Sequence, residues 1–239
     1  MANPVPHSRE PHSRVVAPGV IRQSDGSVMI YPSIPGGILT AEQLVRLGEI
    51  AGAGKGLAKI SVGQMIGILT TPEKLDEALA ALAEAGLAPA PLGTKVRTVR
   101  SCSGLLCPNA KQDSVEDAKR LNGLFSGRDV PRPFRMSVSA CRNSCAESML
   151  QDVGFIGTPD GYNVYIGGKA GGTPVIGELA AKGVSAAQMP GVVEAVLDVY
   201  QREAGAREQL YKVIARLGID IFEKAINEVL NDNKNRENR

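Results

Sequence analysis

The chain's four cysteines fall into two close pairs, Cys102 and Cys107 in CSGLLC and Cys141 and Cys145 in CRNSC, with 33 residues between the pairs. Each pair follows a strand-like stretch and lies among small residues, so the fold must present two cysteine loops at strand ends. Four readings fit. Disulfides need an oxidising compartment. A zinc site more often uses C-x2-C knuckles than these x4 and x3 spacings. A 4Fe-4S cluster needs thiolates on loops that bend around a cube, with backbone N–H groups near the sulfides, which Ser103, Gly104 and Ser144 allow. Buried thiols with no role are the fourth reading.

The N-terminal stretch MANPVPHSREPHSRVVAPG is broken by prolines and has no apolar centre, so it does not read as a secretory signal. No later run approaches the ~18 apolar residues of a spanning helix. A cytoplasmic protein without a membrane span is expected, which disfavours disulfides. The chain has 239 residues, 43% of them hydrophobic, enough to bury one core or two small ones. The net charge of +2 gives no nucleic-acid footprint. Both histidines, His7 and His12, lie in the N-terminal PHSR repeats, read as an extended arm, so histidine acid–base chemistry in the core is not expected.

Cations instead gather around the cysteines. Arg97, Arg100, Lys111, Arg132, Arg135 and Arg142 flank them, while 94–112 and 130–146 contain no Asp or Glu. Six cations exceed what a cluster of thiolates needs, and the surplus points to a further anion. If TKVRTVRS is an alternating strand, Arg97 and Arg100 fall on opposite faces and do not act together.

The organisation expected is α+β. An arm, 1–26, precedes a half-domain, 27–90, with a strand at SVMIYPSIP, a helix capped by Thr40, the runs LAKISV and MIGILT, and a helix capped by Thr71. After the APAPLG linker, a second domain, 94–230, carries a helix capped by Ser114, the strand PRPFRMSVSA, a helical turn at ACRNSCAESML and a hairpin of DVGFIG and YNVYIGG through TPDG. From Gly177 to about Leu230 the pattern reads as helical, with Val192, Val196, Val199, Ile214, Ile221 and Ile226 as core, and 231–239 as a solvated tail.

CSGLLC, the strand PRPFRMSVSACRNSC, then DVGFIG and GYNVYIGG resemble the sirohaem and iron–sulfur half of the sulfite and nitrite reductases. Upstream, KISVGQ resembles the family's R-L-T-x-x-Q strand; downstream, AREQLYKVIARLGIDIF resembles its closing helix. The resemblance implies a ferredoxin-like half-domain followed by a sirohaem and 4Fe-4S domain. It implies that Cys102, Cys107, Cys141 and Cys145 ligate the cluster and that Cys145 also bridges to the sirohaem iron. Arg100, Arg135, Lys59, Gln64 and Asn143 match positions that in the family contact sirohaem carboxylates or line the anion pocket, and Arg97 and Arg142 are further candidates for binding the cofactor. The sequence departs from the family in its C-x4-C first pair, where x5 is usual. Pro133 stands in place of a lysine and Gly63 in place of an arginine, and there is one repeat instead of two.

The implied reaction is the six-electron reduction of sulfite to sulfide, or of nitrite to ammonia. Arg100 and Arg135 would hold the anion. Since arginines do not titrate in proteins, protons would come from water or from Lys111 or Lys169. GGKAGG lacks the spacing of a dinucleotide fingerprint, so an external electron-donor protein, ferredoxin-like or a cytochrome, is expected. A non-catalytic 4Fe-4S electron carrier and a reductase subunit are the alternatives, and the single repeat suggests a homodimer.

Overall fold

The computed structural model describes residues 14–237, with side chains through 232, so His7 and His12 lie outside the described residues. The chain divides into two compact units. Of the described residues, 14–33, 40–61 and 65–93 form the first, and 34–39, 62–64 and 94–237 form the second.

The first unit is an antiparallel sheet with two helices. Its strands are β1 (Val15–Ala17), β2 (Val20–Arg22), β3 (Val28–Ile30), β4 (Leu57–Ile60) and β5 (Ile66–Thr70), in the order β1-β2-β3-β5-β4. Residues 15–22, expected in the arm, thus extend this sheet, because Val20 finds a fully buried place opposite Ile30. Helix α1 (Ala41–Ala53) opens on a capping box: Thr40 accepts from the Gln43 amide, and the Gln43 side chain accepts from the Thr40 N–H. Helix α2 (Leu75–Glu84) starts one turn later than the sequence suggested, since Pro72–Lys74 form a 3-10 turn and the Thr71 side chain makes no cap bond. Leu47, Ile50 and Leu82 from the helices and Ile30 and Ile68 from the sheet are buried.

The second unit carries the cysteines. Its sheet runs β10 (Glu178–Val184), β9 (Gly161–Ile166), β8 (Val153–Thr158), β7 (Met136–Ser139), β6 (Arg100–Ser101). Strands β6, β7 and β8 are parallel neighbours, and β8-β9-β10 are antiparallel. Helix α3 (Ser114–Phe125) connects β6 to β7 and is capped by Asp113, whose carboxylate accepts from the Glu116 N–H. Helices α4 (Met189–Glu203), α5 (Leu210–Leu217) and α6 (Asp220–Glu237) follow. Val192, Val196, Val199, Ile214 and Ile226 are buried in one core with Phe134, Val138, Phe155 and Tyr162, and Ile221 packs against it.

Three local expectations are corrected. Residues 178–184, read as helical, form β10, held by pairing with β9 along Glu178 to Val184. The tail, exposed at Asn231 and Asp232, runs on as part of α6 to Glu237. The second cysteine loop is not helical; it is a run of turns ending in a 3-10 turn at Ser148–Leu150. The stretch 94–101 is not an alternating strand, since only Arg100–Ser101 are in a strand and Val96 and Val99, three apart, are both fully buried. No described helix is long and apolar enough to cross a membrane.

Candidate cluster and anion site

Parallel strands side by side release their chains at the same edge, and β6 and β7 do so in register, Arg100 opposite Ser137 and Ser101 opposite Val138. Cys102 therefore leaves β6 beside the exit of β7, donating its N–H to the Val138 carbonyl at 3.2 Å. Across that gap the Ala140 N–H donates to Cys102 Sγ at 3.1 Å, and Ser114 Oγ lies 3.3 Å from the same sulfur. Further along, the Lys111 N–H donates to the Ala140 carbonyl at 2.8 Å and fastens the end of the first loop to the second. The sheet thus brings the two cysteine loops together.

Such donors suit a thiolate, because an N–H aimed at sulfur stabilises the anion. All four cysteines are free thiols, three of them half-buried and Cys145 exposed. Among the described residues, no three His, Cys, Asp or Glu side chains converge as a single-ion site requires. A cubane takes one thiolate at each of four irons, so its ligands are spread apart. The donor set fits a cluster ligated by loops.

The second loop is fixed from beneath. Three buried serines meet: Ser148 Oγ lies 3.0 Å from Ser137 Oγ and 2.9 Å from Ser139 Oγ. Ser139 Oγ also accepts the Ala146 N–H at 3.2 Å, and Ser144 Oγ accepts the Ser148 N–H at 3.1 Å. Two glycines of DVGFIG let this loop lie on β8. A Cβ at Gly154 would stand 1.8 Å from the Ser148 carbonyl oxygen, and one at Gly157 would stand 2.3 Å from that of Ala140. The first loop is held by Gln64, whose amide grips the backbone of Ser101 at both ends.

The cations are arranged differently from the alternating pattern. Arg97 and Arg100 both lie within electrostatic reach of Arg135. With Val96 and Val99 both turned into the core, the two arginines are not divided between opposite faces. Burial, with Arg135 adding like charge, pulls Arg97 down to about 10. Burial also lowers Arg100, although Glu147, paired with it at 3.4 Å, pulls it back up. Arg100 also donates to the Val62 carbonyl at 3.1 Å. Arg135 is exposed and has no ion-pair partner among the described residues.

The remaining expected residues are dispersed. Lys111, Arg142 and Asn143 are exposed on the cysteine loops. Lys59 is exposed on β4 in the first unit. Lys169 is held in the turn after β9, its ammonium 3.0 Å from the Thr173 carbonyl and over the Tyr211 ring at 5.1 Å. Gln64, expected at cofactor carboxylates, has both its amide oxygen and its nitrogen engaged by Ser101.

The sequence reading did not place at the site Ser114, there taken as a helix cap in the role that Asp113 fills, nor the trio Ser137, Ser139 and Ser148, nor Glu147 and Asp152. The signal for the serines is the polar pair Ser137 and Ser139 inside a strand whose four residues are all buried. Asp152 Oδ2 accepts the Arg135 N–H at 2.8 Å, and desolvation pushes its carboxyl up to about 7.

Comparison with known proteins agrees with this geometry. The family described as nitrite and sulphite reductase 4Fe-4S domain matches residues 92–234, and the nitrite/sulfite reductase ferredoxin-like half domain matches 21–85. A nitrite reductase [NAD(P)H] of Emericella nidulans is 31% identical over 88% of this chain and 19% of its own length. The assimilatory-type sulfite reductase of Nitratidesulfovibrio vulgaris is 27% identical over 87% of this chain and 96% of its own. The chain thus spans about a fifth of the first relative and nearly all of the second. The structure of Mycobacterium tuberculosis NirA superposes with a TM-score of 0.75 at 23% identity, over 86% of this chain and 40% of that one, showing the same fold.

Proposed function

Because the chain belongs to the nitrite and sulphite reductase family, we propose that it reduces sulfite to sulfide, with six electrons and the matching protons, oxygen leaving as water. The observation that carries the reading is the pairing of the two cysteine loops at the ends of β6 and β7. There Cys102 already receives the Ala140 N–H. Cys102, Cys107, Cys141 and Cys145 would hold a 4Fe-4S cluster, and Cys145, exposed, is free to join it to sirohaem. When bound, these groups supply single-electron transfer and a Lewis-acidic iron.

The protein's own share is positioning and electrostatics. Arg97, Arg100 and Arg135 stabilise an oxyanion and its growing charge. Arg142, Asn143 and Lys59 would offer donors to cofactor carboxylates. An external donor protein, ferredoxin-like or a cytochrome, would deliver the electrons. Sulfite is favoured by the match along nearly the whole length of an assimilatory-type sulfite reductase. Nitrite is the second reading, because the nitrite reductase of E. nidulans is the more identical of the two.

The test is an absorption spectrum of anaerobically purified protein, followed by turnover with reduced methyl viologen. Tetrapyrrole bands with a higher kcat/KM for sulfite than for nitrite are expected. The reverse preference would select the nitrite reading, and a cluster spectrum without tetrapyrrole bands would make the protein an electron carrier.

A further inference from the structure

Arg135 heads β7, Asp152 immediately precedes β8, and the two strands are parallel neighbours. The Asp152 carboxylate accepts the Arg135 backbone N–H at 2.8 Å, while the Val153 N–H donates to the Arg135 carbonyl at 3.2 Å. Arg135 is thereby clasped through both of its backbone polar groups. Its guanidinium is the cation whose field reaches both Arg97 and Arg100. Asp152 is the carboxylate placed against this set at the β7–β8 side, whereas Glu147 pairs with Arg100 directly.

We propose that Asp152 is a positioning residue for anion binding: it fixes the Arg135 end of β7 and sets how much of the Arg97–Arg100–Arg135 charge is left for an incoming oxyanion. The proposal rests on the oxyanion reading above.

The groups that face Asp152 are few. Arg135 comes from β7, and Tyr200 comes from α4 with Arg132 beside it. The turn after β9 contributes the Gly167 N–H, donated to the Asp152 carbonyl at 2.9 Å. Loss of water drives the carboxyl up to about 7, against the pull of the Arg135 amide and charge. Below that pH Asp152 is neutral and the arginines act at full strength. Above it, one negative charge offsets them, and anion affinity falls as pH rises.

The stability sign follows from the same linkage. A carboxyl whose folded value lies above its unfolded value of about 4 contributes stability that is lost as pH rises through about 7. Asp152→Asn keeps an oxygen to accept the Arg135 N–H and removes the charge.

Nitrite binding to the loaded protein, measured by titration calorimetry at pH 6 and pH 8, tests the proposal. Nitrite remains an anion throughout this range. The natural protein is expected to bind roughly fivefold more weakly at the higher pH, about the effect of one charge several ångströms away in a screened site. Asp152→Asn is expected to bind equally at both. The thermal midpoint of the variant should also gain on that of the natural protein by roughly 5–10 °C between pH 5 and pH 8. Equal pH dependence in the two proteins, or no nitrite binding by either, overturns the proposal. Binding that behaves as expected without turnover of nitrite or sulfite would leave Asp152 in this role and sink the reductase reading instead.

Discussion

Gln64 holds Ser101 by both ends of its side-chain amide: the Ser101 N–H donates to Oε1 at 3.1 Å, and Nε2 donates to the Ser101 carbonyl. Ser101 is buried and directly precedes Cys102, so the clamp fixes the first of the proposed cluster ligands through the backbone. Gln64 adopts a left-handed conformation, φ 58°, to reach it.

Replacing Gln64 with Met keeps the volume and abandons two backbone groups. Each unsatisfied buried group costs about 1–3 kcal/mol, so a total near 2 kcal/mol is expected after partial relaxation. Thermal denaturation should show a midpoint roughly 4–8 °C lower. Iron and sulfide content should fall with it, and an unchanged midpoint would show that the clamp contributes nothing.

The two glycines under the second loop give a sharper contrast. Ala at Gly154 would place its Cβ 1.8 Å from the Ser148 carbonyl, a collision between backbones that no rotamer relieves. Gly123, within α3, has open space and ordinary helical geometry. Gly154→Ala should therefore yield protein without bound iron, while Gly123→Ala should raise stability by about 0.5–1 kcal/mol. Urea unfolding of both variants checks the opposite signs, and a stable, iron-loaded Gly154→Ala would refute the packing account.

What could be read in the sequence is what depends on neighbours along the chain. Thr40 with Gln43 marks a helix start, TPDG closes the β8–β9 hairpin, and both are found in place. The cysteine loops were recognisable by their spacing and their strand flanks. Strand β10 was not, because ELAAKGV has little β-propensity and becomes a strand only by pairing with β9. The relation of Arg97 to Arg100 failed for a comparable reason. Alternation assumes a regular strand, whereas burial of both Val96 and Val99 is decided by the core. Asp152 gave no signal at all, since its desolvation comes from Arg135, α4 and the turn after β9, each distant in sequence.

Tyr162 donates to Asp117 Oδ2 at 2.6 Å, and both residues are buried. Burial pushes the Asp117 carboxyl up, and the Tyr162 hydroxyl and Arg120 pull it back down. Tyr162→Phe removes one downward pull, so the folded-state value rises further. A carboxyl raised in the folded state loses its stabilising contribution as pH rises, so the variant should fall further behind the natural protein with increasing pH. The deficit should be about 1 kcal/mol in acid, the scale of a bond between neutral groups, and should grow with pH toward about 1.5–3 kcal/mol, the scale of a bond to a charged group. Unfolding followed at both pH values measures this, and a deficit that shrinks toward neutrality would contradict it.

The two candidate proton-donating lysines differ in their surroundings. Lys169 is anchored, its ammonium donating to the Thr173 carbonyl at 3.0 Å and resting over Tyr211. Lys111 is exposed, and only its backbone is tied, to the Ala140 carbonyl beside Cys141. A donor must reach the reacting anion, and the long flexible side chain of Lys111 starts from the cysteine loop itself. Lys111→Met should therefore lower kcat roughly 10²-fold, the usual scale for losing a general acid. Lys169→Met should leave kcat unchanged and lower the thermal midpoint slightly by losing the ring contact. If both variants keep the natural kcat, the proton comes from water and neither lysine takes part.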